Sequence, residues 1–207
     1  MALFSDLCGQ TQRPEGFLGK LMVSGMDAGH EKLSDWGMSL LKGISPSSIA
    51  ELGCGGGRNA RELLKRFPGA YLTALDHSEV SVGKTVKTNR KEILSGRCRA
   101  VSGDVSSLPF DPETFDLATA FETVCYWPGA EMCFREVYRV LRSGGLFLIC
   151  NESDGTDEVT QRYSKIMGGM SYYTIEQLTD ALENAGFSEI RSYRHPEMPW
   201  IAVAAGK

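Results

Sequence analysis

Glycine crowds one short stretch of this chain: residues 51–57 read Glu-Leu-Gly-Cys-Gly-Gly-Gly. An apolar run at 47–53 leads into it. Ala60, Leu63, Leu64 and Phe67 then recur on one helical face until Pro68-Gly69 stops them. A strand that turns through glycines into a helix constrains much of the fold around it. Glycine takes left-handed backbone without strain and lets main chain approach a ligand closely. In a doubly wound sheet, a nucleotide ligand lies beyond the carboxyl end of such a strand. A bare glycine run is equally compatible with a tight turn that binds nothing.

The chain on either side keeps the alternation going. Strand-like runs recur at 70–76, 97–102, 115–121 and 146–150, and two more at 189–193 and 200–205. Between them, helical faces are marked by Val82, Val86, Asn89 and Ile93, and by Phe134, Val137, Val140 and Leu141, closed by Gly144-Gly145. Thr174 and Gln177 have the spacing of a capping box. Ile175, Leu178, Ala181, Leu182 and Ala185 carry the helix that follows, and Gly186 ends it. Strand–helix alternation predicts an α/β, doubly wound, mostly parallel seven-stranded sheet with helices on both faces. The last two strands have no helix between them, which predicts an antiparallel C-terminal edge strand.

Length and charge narrow the class. The 207 residues fit a single domain spanning 1–207, and a formal net charge of -4 argues against nucleic acid as the main partner. Six cysteines form no CxxC pair and no cluster with histidine, so no metal is expected and the thiols read as reduced, in a cytoplasmic setting. Cys98 and Cys150 sit in apolar runs as small buried hydrophobes. The N-terminal residues lack the pattern of a signal peptide, and no stretch has the length of a membrane span. Two segments stand outside the alternation. The first, 1–42, includes a helix carrying Leu33, Trp36, Leu40 and Leu41. The second, 152–173, is a long connection of the kind that serves as a lid.

Gly55-Gly56-Gly57-Arg58-Asn59-Ala60 also satisfies the dinucleotide pattern G-x-G-x-x-A, which keeps a nicotinamide-dependent oxidoreductase open. Counted from Gly53, however, Arg58 stands where that pattern needs its third glycine for close helix–strand packing. Glu51 would sit badly beside a pyrophosphate and suits a ligand carrying an ammonium group.

The motif ELGCGGG resembles the first motif of the class I S-adenosylmethionine-dependent methyltransferases of small-molecule type. LTALDHS, SGDVSSLPF, FDLATAFETVCYW and FREVYRVLRSGGLFLI continue that resemblance in order over about 48–151. The resemblance implies S-adenosylmethionine as cofactor, cradled by Glu51, Gly53, Gly55 and Gly57. Asp76 would hold the ribose hydroxyls, since two carboxylate oxygens can accept from two adjacent hydroxyls. His77 and Ser78 would lie beside it, or cap the next helix. Asp104 would reach the adenine amino group, with Val105 and Phe121 packing nearby. Asp104 could instead cap the turn at 106–108.

His30, Trp36, Glu122, Tyr126, Trp127 and Tyr172 are candidates for the methyl-acceptor pocket, each with a packing or capping role as its alternative. Met22, Met26, Met167 and Met170 add apolar cover from the two outer segments, with Gly168-Gly169 as a hinge. The expected activity is methyl transfer to a small molecule. A non-catalytic module that binds the cofactor is the other alternative, and no residue stands out as a catalytic base.

Overall fold

The computed structural model describes residues 30–158, 160, 161 and 170–207. Apolar β-rich runs form the strands β1 (Ser48–Leu52), β2 (Tyr71–Asp76), β3 (Cys98–Ser102), β4 (Phe115–Phe121), β5 (Leu141–Asn151), β6 (Ser188–Arg194) and β7 (Ile201–Gly206). They make one seven-stranded sheet in the order β3-β2-β1-β4-β5-β7-β6. β1 pairs parallel with β2 and β4, and these pair parallel with β3 and β5. Ile49, Ala50 and Leu52 of β1 are wholly buried, as a strand covered on both faces must be. From β1 the chain moves outward to β2 and β3, then crosses back to β4 on the other side of β1, so the switch in strand order lies between β1 and β4.

The antiparallel strand is β7, paired with both β5 and β6. It inserts between them rather than lying outermost. The outermost strand is β6, whose residues are exposed except for the half-buried Ile190 and Tyr193. A tight return through 195–200 brings β7 back along β6, and burial of Ile201, Ala202 and Val203 favours its inner place.

The helices are α1 (Glu31–Ser39), α2 (Arg58–Arg66), α3 (Glu79–Thr88), α4 (Arg90–Leu94), α5 (Ala130–Val140) and α6 (Ile175–Ala185). α1 and α2 bury Leu33, Met38, Leu63 and Leu64 against one face of the sheet. α5 and α6 bury Phe134, Val137, Leu178 and Leu182 against the other. The capping box is formed: Thr174 Oγ1 accepts from Gln177 N, and Gln177 Oε1 accepts from Thr174 N.

Two elements depart from the reading of the sequence. β5 begins at Leu141, not Leu146: the chain leaves α5 directly into strand. The β4–β5 register then jumps from Phe115↔Leu141 to Leu117↔Leu146, with Gly144 at φ 78° inside the excess length. The face expected from Val82, Val86, Asn89 and Ile93 is met at Asn89, which is buried, and at Ile93, which packs against the core, but not at Val86. Val86 is exposed, and Ser81, Thr85 and Asn89 are the buried residues at helical spacing. Their polar groups point at the glycine loop, which is the reason for the difference.

Candidate functional site

β1 delivers its last residue, Leu52, into a loop that only glycine can make. Gly53 has φ 80°, and a Cβ there would stand 2.1 Å from Thr123 Oγ1. Gly57 has φ 82° at the head of α2, and a Cβ would meet Asn89 and Thr85 at 2.6–2.9 Å. The loop is laced from neighbouring elements. Leu75 O accepts from Gly53 N and Cys54 N; Thr85 Oγ1 donates to Gly55 O at 3.0 Å; Asn89 Nδ2 donates to Gly57 O at 2.9 Å. Such bonds hold main chain in one shape in advance of a ligand, so less ordering is needed on binding.

Above the loop opens a cavity of about 310 Å³. Gly53, Cys54, Gly55, Arg58 and Asn59 form its floor, and Leu75, Asp76, His77 and Ser81 one side. Asp104, Val105 and Phe121 form a second side. Glu122, Thr123, Tyr126, Trp127 and Pro128 close it after β4, and His30 and Ser34 come over from α1.

Asp76 is 7% exposed, and its carboxylate accepts from Gly55 N and Ser78 N at 2.9 Å each. A carboxylate has about four acceptor sites, so two remain for hydroxyls in the cavity. Asp104 caps the turn, one of the two roles expected for it, and stands on the cavity wall. Its Oδ1 accepts from Ser106 N and Oγ, which holds its carboxyl below the usual range.

Five candidates do not reach the cavity wall. Glu51 is wholly buried beneath the loop, where Thr119 Oγ1 donates to its Oε2. Burial pushes its carboxyl up to about 8, so at neutral pH it is protonated and no anionic partner for an ammonium. Gly57 starts α2 from behind the loop. Ser78 caps α3, its hydroxyl accepting from Ser81 N. Trp36 turns away from the cavity to meet His195 edge-on and Trp200 at a tilt, ring centroids 5.4 and 6.2 Å away, because an indole on α1 finds its apolar cover at the β6–β7 return. Tyr172 packs over Gly155. Met22, Met26, Met167, Gly168 and Gly169 lie outside the described residues; Met170 meets Tyr172, its sulfur 3.9 Å from the hydroxyl.

Trp127 has both roles proposed for it. It lines the cavity, yet it is buried, stacks on Phe147 at 6.3 Å and donates from Nε1 to Thr123 Oγ1. Glu122 follows β4 at φ 54°, left-handed backbone that costs a side-chain-bearing residue energy and gathers at functional sites. Its carboxylate accepts from Glu152 N, and burial raises it to about 8. His30 Nε2 stands 3.7 Å from Glu152 Oε2.

Comparison with known proteins decides what this cavity belongs to. A family model described as a methyltransferase domain matches residues 50–149, the stretch that builds the glycine loop, Asp76, Asp104 and Glu122. The chain belongs to the class I S-adenosylmethionine-dependent methyltransferases.

Relatives of this methyltransferase include the sterol 24-C-methyltransferase of Saccharomyces cerevisiae, 30% identical over 77% of this chain and 45% of its own length. The cycloartenol-C-24-methyltransferase of Arabidopsis thaliana is 31% identical over 74% of this chain and 48% of its own. The chain thus spans a little under half the length of these relatives. The fold recurs in the phosphoethanolamine N-methyltransferase 2 of Haemonchus contortus in complex with S-adenosyl-L-methionine. That match has a TM-score of 0.76, 17% identity, and covers 99% of this chain and 60% of that one. The residues fit the family's cofactor: Gly53 and Gly55 bring bare main chain to the cavity wall, and Asp76 presents unspent acceptor sites there.

The sequence reading missed several wall residues of the methyltransferase site: Ser34, Asn59, Ser81 and Thr123. Thr123 alone had a cue, lying next to Glu122 after a predicted strand.

Proposed function

We propose that this chain transfers a methyl group from S-adenosylmethionine to a small-molecule acceptor. The observation that carries the reading is the preformed glycine loop with Asp76 at one end of the cavity and Glu122, His30, Tyr126 and Trp127 at the other. When bound, S-adenosylmethionine supplies an electrophilic methyl carbon on a sulfonium, already joined to a good leaving group. What remains for the protein is placement and exclusion of water. Gly53 and Gly55 would bring main chain against the methionine part. Asp76 would accept from the ribose hydroxyls, and Val105 and Phe121 would flank the adenine, with Asp104 near its amino group. Tyr126 and Trp127 present aromatic surface toward the acceptor end, where a positive charge near sulfur is favoured.

A small acceptor suits a cavity of this size, at the low end of the roughly 300–1,000 Å³ typical of ligand pockets. A net charge of -4 disfavours a nucleic acid acceptor. The five cysteines among the described residues are free and buried, which supports a reducing, cytoplasmic setting. The test uses S-adenosylmethionine labelled in its methyl group, mixed with the protein and a low-mass extract of cells. The label should pass into a small organic product. Transfer only to protein or nucleic acid, or tight cofactor binding with no transfer at all, would reject the reading, the latter in favour of a binding module.

A further inference from the structure

Three side chains from three elements converge at the acceptor end of the cavity. Glu122 comes from the end of β4, Glu152 from just after β5, and His30 from the head of α1. One ligand atom from each lies within 4.8 Å of the other two. Resting on the reading of the cavity as a methyltransferase site, we propose that Glu122, Glu152 and His30 form a subsite for a protonated amine.

Donor count and charge favour an ammonium here. Acceptors placed tetrahedrally at about 2.9 Å from a nitrogen stand about 4.7 Å from one another. Around a zinc at about 2.1 Å they would stand about 3.4 Å apart. The three ligand atoms lie within 4.8 Å of one another, with 3.7 Å between His30 Nε2 and Glu152 Oε2, spacings that one ammonium can bridge and that do not by themselves separate it from a metal ion. An ammonium offers three donors and no acceptor, and two carboxylate oxygens with an imidazole nitrogen offer three acceptors.

Charge points the same way. The groups facing Glu122 are Cys150 from β5, Glu152 just after it, Cys125 from the turn after β4, and Tyr172 ahead of α6, all acids or neutral groups, with His30 a further titratable neighbour. The cavity's arginine, Arg58, is committed elsewhere, 2.7 Å from Asp35 and 3.2 Å from Glu31. Without a cation, burial and Glu152 keep the Glu122 carboxyl protonated to about pH 8. A ligand ammonium supplies that cation: the carboxyl ionises, its proton passes to solvent, and the carboxylate pairs with the amine. The left-handed backbone at Glu122 also becomes intelligible, since it turns the side chain toward Glu152 N at the cavity wall.

Two amines could use the subsite: the α-amine of the cofactor's methionine part, or an amine on the acceptor. The experiment compares the wild type with Glu122→Gln, whose amide oxygen can still accept from Glu152 N. Calorimetry at pH 7 measures S-adenosylhomocysteine and 5′-methylthioadenosine, which lacks the amino-acid part. It also measures 2-phenylethylamine and 2-phenylethanol against protein saturated with S-adenosylhomocysteine. Titration in buffers of different ionisation enthalpy counts released protons.

The proposal expects the amine-bearing member of one pair to weaken at least about tenfold in the variant, with its neutral counterpart unchanged. It also expects close to one proton released by the wild type and none by the variant. Selective loss of S-adenosylhomocysteine assigns the subsite to the cofactor, and selective loss of 2-phenylethylamine assigns it to the acceptor. Equal behaviour of both proteins toward all four ligands overturns the proposal, as does equal weakening within both pairs. If neither adenosine ligand binds the wild type, the methyltransferase reading falls and the subsite with it.

Discussion

Asp76 joins structure to ligand in one side chain. Its carboxylate holds the amides of Gly55 and Ser78, and its unspent acceptor sites face the cavity. Asp76→Ala should therefore weaken S-adenosylhomocysteine binding by roughly 1.5–3 kcal/mol, the range for hydrogen bonds to a charged group. It should also lower stability by about 1–3 kcal/mol, because two amides lose their acceptor. Calorimetry and urea midpoints separate the two effects, and a drop in stability with full affinity would confine Asp76 to a structural role. Glu51 sits fully buried, which pushes its carboxyl up to about 8 in the fold, against an ordinary 4.5. The native state then holds a proton that the unfolded chain releases, so stability contributed below pH 4.5 is lost as pH rises toward 8. Glu51→Gln should flatten that decline by roughly 3–5 kcal/mol across the window. Melting temperatures taken from pH 5 to 8 check it, and parallel curves for the two proteins would contradict it. Neither residue's full role was open to sequence. Motif order placed Asp76 at a strand end beside the loop, but nothing in ELGCGGG says that the Glu51 side chain folds under the loop to meet Thr119.

Among the elements, α1 decides how the acceptor end is closed. It lies on β5 through Gly37, where a Cβ would stand 2.8 Å from Cys150 Sγ and 2.9 Å from Phe121 Cε1. That close approach carries His30 and Ser34 onto the cavity wall. Gly37→Val should lift the helix, cost about 1–3 kcal/mol through overpacking, and loosen the acceptor end while Asp76 keeps its place. Urea denaturation measures the cost. A variant as stable as the wild type would mean that α1 is free to shift without strain. Periodicity found α1 and the side that packs, Leu33 and Leu41 being buried with Trp36 and Leu40 against them, but it passed over Gly37, whose missing side chain permits the closest contact. The same blindness passed over Ser81 and Thr85, which are buried on α3 beside the expected Asn89. A helix that must satisfy the carbonyls of a glycine loop presents small polar groups there, and hydrophobic patterning reads them as solvent-facing.

Across the whole molecule, strand–helix alternation sufficed for the sheet and for its doubly wound character, since burial on both faces leaves near-continuous apolar runs such as Ile49–Leu52. It was mute on the insertion of β7 between β5 and β6, which depends on pairing between distant strands. It was equally mute on the meeting of His30, Glu122 and Glu152, separated by 92 and 30 residues along the chain. Among the described residues no helix is long and apolar enough to cross a membrane. All these features converge on one cavity built to take an adenosyl sulfonium. Titrating S-adenosylhomocysteine and, separately, NAD into the protein by calorimetry tests this most directly. S-adenosylhomocysteine should bind at one site per chain, and at a hundredfold excess over its Kd it should add about 2.7 kcal/mol of stability. NAD should give no saturable heat. Saturable NAD binding without S-adenosylhomocysteine binding would contradict the account.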